Sequence, residues 1–111
     1  MNDAEATGYS MVLTTARSDN TQAIVQALLA QQLAACVQVM PIRSHYVWQG
    51  ALREEGEDLL LIKSRTEDYM MIEATIRAVH QYDTPEILRF DVAAGARSYL
   101  DWIGEMTARR G

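Results

Sequence analysis

The chain has 111 residues, 49% of them apolar, and a formal net charge of −5; that is one domain over 1–111 with one core, and it excludes a disordered chain. The negative balance argues against a broad grip on nucleic acid or anionic lipid, and no apolar run approaches the roughly 20 residues that span a bilayer. The one cysteine, Cys36, leaves no internal disulfide, and the acidic opening MNDAEATG does not read as a signal peptide, so a cytoplasmic protein is expected.

Residues 9–16, YSMVLTTA, read as a strand: apolar and β-branched, bounded by Gly8 and Arg17. In SDNTQ, Asp19 with Gln22 has the spacing of a capping box, and Ser18 is a competing cap. Ile24, Ala27 and Leu28 follow at helical spacing, which predicts a helix ending near Gln32. Residues 34–48 read as a long strand whose apolar residues change phase at Pro41, from Val37 and Val39 to Ile42, Tyr46 and Trp48. A phase change at a proline predicts a bulge on an edge strand. QGA makes the turn, and a return strand runs from about Leu52 to Arg65, with the continuously apolar LLLI at its centre.

Thr66 is placed to cap a second helix, with Tyr69, Ile72, Ile76 and Val79 as its apolar stripe. HQYDTPEI, residues 80–87, forms a corner in which Pro85 holds Thr84 extended. EILRFDVAA is the last strand, and Ser98 with Asp101 caps a final helix carrying Tyr99, Ile103 and Met106. The ends, 1–8 and 107–111, are expected to fray. The order β-α-β-β-α-β plus a helix predicts an α+β, ferredoxin-like split βαββαβ antiparallel sheet with an extended β2–β3 hairpin. That plan by itself settles no chemistry.

Length adds a statement about assembly. A strand from Ala35 to Trp48 reaches about 45 Å at roughly 3.3 Å per residue, whereas a compact domain of this size is about 35 Å across. The hairpin should overhang its globule, with Tyr46, Val47 and Trp48 near its tip. Burying a large aromatic contributes about 2–3 kcal/mol, so these three are candidate contacts with another copy of the chain. The alternative is a break at Pro41 that folds the tip back onto its own body.

LAACV at 33–37, YVWQG at 46–50, the carboxylates Glu55 and Glu57, LLLIKS at 59–64, HQYDTPEI at 80–87 and YLDWI at 99–103 together resemble the CutA family of divalent-cation tolerance proteins, in order over about residues 9–106. The resemblance implies a ferredoxin-like domain assembled as a homotrimer similar in architecture to the PII signalling proteins. It also implies a cytoplasmic role in tolerance of copper and other divalent ions, with no defining enzymatic reaction. It implies a copper pattern with a cysteine on the first strand and two adjacent histidines; here Thr14 stands at the cysteine position and Val79 at the first histidine, leaving His80.

Among individual residues, His80 is the best metal ligand available, since an imidazole suits copper or zinc, with Tyr82, Asp83 and Glu86 as nearby oxygen donors. Cys36 is a soft candidate ligand, although a small thiol among Ala34, Ala35 and Val37 equally reads as packing. Met70 and Met71 are about 100° apart on a helix and do not converge. Lys63, the one lysine of the chain, ends the apolar run and needs a partner. It is expected to face Glu55, Glu57 or Glu86, either as a structural ion pair or in a ligand pocket at a subunit junction lined by Trp48, Lys63, Tyr82 and Glu86. Neither GxSxG nor a phosphate-cradling glycine loop occurs, and the strands lack the base-stacking aromatics of an RNA-recognition module. The expected function is therefore a trimeric, non-enzymatic protein of divalent-metal tolerance that needs no cofactor and contacts copper or another divalent cation weakly. A PII-like regulatory scaffold for a small metabolite or partner protein is the second reading.

Overall fold

In a computed structural model, which describes residues 6–109, strand β1 (Tyr9–Ala16) leads into helix α1 (Ser18–Ala30). Strands β2 (Cys36–Trp48) and β3 (Ala51–Arg65) form a long hairpin. A short 3-10 turn (Thr66–Asp68) enters helix α2 (Tyr69–Val79), followed by β4 (Ile87–Asp91) and helix α3 (Arg97–Met106). The four strands lie in the order β2-β3-β1-β4, and every neighbouring pair is antiparallel. This is the expected ferredoxin-like α+β sheet.

Alternation along the strands divides the sheet into two unlike faces. Val12, Thr14 and Ala16 of β1 share one face with Leu60 and Ile62 of β3, and all five are buried. Ile24 and Leu28 of α1 and Ile72 and Ile76 of α2 close over them, with Leu33 and Ala34 completing the core. The opposite face carries Met11, Leu13, Leu59, Leu61, Cys36, Met40, Leu88 and Phe90 by register. Among the described residues only α3 leans on it, at one end: the Arg65 guanidinium donates to the Gly104 carbonyl (2.7 Å) and the Thr107 hydroxyl (2.9 Å). A side chain at position 104 would collide with the Tyr9 hydroxyl. Met40, Leu88 and Phe90 remain 47–50% exposed.

The hairpin projects as the strand length predicts. The molecule measures 45 × 35 × 21 Å with a radius of gyration of 15.2 Å, above the roughly 13 Å of a compact domain. Gln49 (φ 51°) and Gly50 (φ 77°) both sit in the left-handed region, as a two-residue hairpin turn requires. Val47 is 65% and Leu52 87% exposed. The fold-back alternative is thereby excluded, and so is the expected bulge: β2 and β3 pair without interruption from Cys36↔Lys63 through Pro41↔Asp58 to Trp48↔Ala51. Pro41 needs no bulge because β2 is an outer strand, where a missing N–H can face away from the ladder.

The expected helix caps do not form. Among the described residues none of the three α-helices, nor the 3-10 turn, has a side-chain hydrogen bond from its N-cap residue. The Thr66 hydroxyl instead lies 2.6 Å from Ser10 Oγ, which donates to Asp91 (2.9 Å) and so ties β1, β4 and the 3-10 turn together. Ser18 lies inside α1, and Thr21 donates its hydroxyl to Asp58 (2.7 Å), binding α1 to β3. The ends are also better held than expected. Thr7 donates to the Val92 carbonyl (2.7 Å), Thr107 is 1% exposed, and Arg109 grips Asp68 through two bonds of 2.7 and 2.8 Å. The rest of the expected frayed ends, residues 1–5 and 110–111, lies outside the described residues.

Asp68 is buried, and Arg109 is its ion-pair partner. Arg109→Ala should cost about 1–3 kcal/mol, the penalty for stranding a buried acceptor, measured by urea denaturation. A loss within experimental error would show the tail to be dispensable.

Candidate functional site

HQYDTPEI leaves α2 and turns back across the end of the sheet. His80 Nε2 lies 2.7 Å from the Thr15 carbonyl, and Nδ1 accepts the Tyr82 backbone N–H at 3.1 Å. The imidazole is therefore the Nε2–H tautomer, with both nitrogens in use. Its ring packs against that of Tyr82, with centroids 4.8 Å apart. On the core side, buried Asn20, with its amide oriented to satisfy both partners, donates to the Val79 carbonyl and accepts from the Gln81 N–H, each at 3.2 Å. The corner is thus pinned from α1, from β1 and from within.

Pinning the corner fixes Tyr82. Its hydroxyl donates to Glu57 of β3 at 2.7 Å, and the other oxygen of that carboxylate accepts from Ser44 of β2 at 2.6 Å. Burial, then the hydrogen bond to Glu57, hold the Tyr82 phenol far above its ordinary range. A hydrogen bond to Glu55 is the leading cause that raises Tyr46 in the same way. Together these groups wall a cavity of about 580 Å³ that runs from the root of the hairpin towards Trp48 beside its turn. Tyr46, Trp48 and Tyr82 supply its aromatic surface; Glu55, Glu57, Asp83 and Glu86 its carboxylates; Arg53, Thr15 and Thr84 complete the lining.

Three of the four residues expected to line a pocket, Trp48, Tyr82 and Glu86, are brought together here. Lys63 is not. It lies toward the other end of β3, donates to Gln38 Oε1 at 2.9 Å, lies 3.5 Å from the Tyr99 hydroxyl and sits 5.6 Å from the centre of that ring. Lys63 and Glu57 do share a sheet face, but six residues along one strand separate them by about 20 Å. Spacing along the chain missed Tyr46, Glu55, Glu57 and Arg53 as cavity walls; the signal available was their common parity on β2 and β3 about the turn.

The metal candidates do not meet. Cys36 is aligned with Lys63 and Met11, whereas Thr15, which holds His80, is aligned with Leu59; that is four residues along the strand, about 13 Å. Thr14 is fully buried and Val79 packs on the core, so both positions face the helix side. Among the described residues no three His, Cys, Asp or Glu side chains converge to hold a metal ion.

The model of the CutA1 divalent ion tolerance protein family matches residues 10–106. The chain belongs to the CutA family. A CutA relative, the divalent-cation tolerance protein of Thermus thermophilus, is 38% identical over 98 residues, covering 87% of this chain and 95% of the relative. The solved CutA of Synechococcus elongatus superposes with a TM-score of 0.88 at 31% identity, covering 95% of each chain. That of Archaeoglobus fulgidus, described as a periplasmic divalent cation tolerance protein, gives 0.87 at 32% identity, covering 90% of this chain and 99% of its own. The Thermus and Archaeoglobus relatives are named for divalent-cation tolerance and not for a reaction.

The raised Tyr82 pKa makes a signed prediction. A phenol whose folded pKa lies above its unfolded value of about 10 stabilises the fold fully below pH 10, and that contribution is lost as pH rises towards the folded value. Stability measured by urea denaturation from pH 8 to 11 should therefore fall above about pH 10. Tyr82→Phe, which removes the titrating hydroxyl, should be less stable at pH 8 and show a shallower alkaline decline. An unchanged alkaline slope would contradict this environment for Tyr82.

Proposed function

We propose that this CutA-family chain acts in divalent-cation tolerance as a homotrimer, a cytoplasmic binding protein and not an enzyme, with its ligand sites where one subunit's hairpin root meets the next. The observation that carries this reading is the bare sheet face. A sheet apolar on both faces needs a layer on each, and the helices α1 and α2 supply one. Met40, Leu88 and Phe90 stay half exposed on the other, beside the stacked pair Tyr99 and Trp102 of α3, whose rings lie 5.7 Å apart. Covering this face with copies of the chain also shelters Tyr46 and Trp48 on the projecting hairpin, and the expected contact of Val47, on the other face of β2, needs the neighbour to wrap the hairpin. The threefold count follows the PII-like architecture that the family resemblance implies. The lone Cys36 suits a reducing compartment, although the Archaeoglobus relative is described as periplasmic.

In this reading copper or another divalent cation is a weak ligand and no cofactor is required. Both His80 nitrogens are committed to the corner, and tight binding of first-row metals needs three or four convergent ligands. The second reading, a PII-like scaffold for a small metabolite or partner protein, is favoured by the cavity at the hairpin root.

Light scattering on the eluting protein should give three times the 12.5 kDa chain mass. Phe90→Glu, which sets a charge on the bare face, should shift the mass to that of one chain. A stable, soluble wild-type monomer at micromolar concentration would overturn the assembly. Calorimetry with copper should show the same weak affinity for the wild type and His80→Ala. Loss of binding in that variant would instead make His80 a ligand.

A further inference from the structure

The bare sheet face carries opposite charges at its two ends. Lys63 lies at one end, in the row that runs Cys36, Lys63, Met11, Phe90. Glu55, Glu57 and Glu86 lie at the other, around the hairpin root. Between them come apolar rows, Leu61 with Leu13 and Leu59 with Met40. Six residues of β3, about 20 Å, separate Lys63 from Glu57. Lys63 is aligned with Met11, whereas Glu86 lines the cavity beside Thr15, four residues or about 13 Å further along β1. Within one chain the Lys63 ammonium donates to Gln38 Oε1 at 2.9 Å and lies beside the Tyr99 ring. Neither partner carries a charge. Elsewhere Asp19, Glu54, Glu67, Asp68, Glu73 and Asp91 all pair with arginines. Among the described residues Lys63, Glu55, Glu57 and Glu86 form no ion pair.

Copies of the chain that cover this face take both of its ends out of water. An ion removed from water needs a counter-ion, and Gln38 and Tyr99 offer Lys63 dipoles only. Two faces laid together in the same sense and register would set ammonium on ammonium and carboxylates on carboxylates, an arrangement that like-charge repulsion opposes. A displaced or reversed neighbour sets Lys63 over the carboxylates while apolar rows still meet apolar rows. The arginines outside ion pairs do not offer this complement. Arg53 belongs to the cavity itself, and Arg97 lies with Asp101 in a cleft at the start of α3.

We propose that a second copy completes the cavity at the hairpin root: the Lys63 ammonium of one chain seats between Glu57 and Glu86 of the next. Ser44 and Tyr82 already hold Glu57 in place, so its charge is aimed before the neighbour docks, which lowers the cost of association. The inference rests on the reading of the bare face as the contact between copies, and it names the charged groups that fix the register of that contact. The site is incomplete in one chain, and no covalent step is involved.

Light scattering over a dilution series of the full chain tests it, with circular dichroism to confirm that each variant is folded. Lys63→Glu and Glu86→Lys should each weaken assembly about tenfold or more, and the two together should restore it to near the wild-type strength. Glu73→Lys, the same change of charge on α2 in the helix layer across the sheet, should not rescue Lys63→Glu. If a reversal fails to fold, the neutral pair Lys63→Gln and Glu86→Gln reads the same coupling: the double variant should lose less than the sum of the single losses. Assembly of Lys63→Glu at wild-type strength overturns the proposal and leaves the ammonium with Tyr99 of its own chain. Additive losses without rescue overturn it as well. Rescue by Glu73→Lys overturns it as an effect of net charge. Each of these outcomes leaves an assembled wild type, and with it the trimer reading, intact. A monomeric wild type overturns both.

Discussion

The unbroken pairing of β2 with β3 is the constraint from which the other features follow. Because the ladder continues from Cys36↔Lys63 to Trp48↔Ala51, the hairpin extends past the point where α1 and α2 can cover it. Its root then has a helix corner on one side and open sheet on the other. That geometry creates the cavity, leaves the aromatics of β2 near solvent, and separates Lys63 from the carboxylates that share its face. A shorter or broken hairpin would abolish all three at once.

The corner HQYDTPEI is best understood as the second half of that construction. It contains the residue types of a metal site, yet its histidine and its tyrosine are used mechanically. The imidazole joins the Thr15 carbonyl to the Tyr82 N–H, and the phenol carries the connection onward to Glu57. The chain from β1 through His80 and Tyr82 to β3 is a brace, and its consequence is a carboxylate fixed in position. Removing solvent from a phenol and placing it on a carboxylate both favour its neutral form, so the brace stays protonated throughout the physiological range.

Elements and fold class were legible because they rest on period: the stripe Tyr69, Ile72, Ile76 is helical wherever it is placed, and LLLI is apolar enough to be a central strand. The reach of the hairpin was legible from length alone. What was not legible depends on partners distant in the chain. Ser18 and Thr66 look like caps locally, but α1 begins at Ser18 itself and the Thr66 hydroxyl meets Ser10 across the fold. The phase change at Pro41 looked like a bulge because one buried face was assumed. Beyond the globule neither face of β2 is covered by helix, so apolar residues on both sides need no change of register. Lys63 was misassigned for a related reason: alternation gives the face of a residue but not its position along the strand. The cavity itself required Glu55 and Glu57 to meet a loop some 25 residues later, which no local pattern encodes.

Pro41 has one further consequence. An outer strand of this length offers a row of free backbone donors on which a foreign strand could crystallise, and the row would otherwise run uninterrupted beside exposed Val39 and Met40. Pro41 removes one rung near the middle, dividing the rim into two short runs. Fibre growth by endless strand stacking is thereby discouraged, while the ladder inside the hairpin loses nothing.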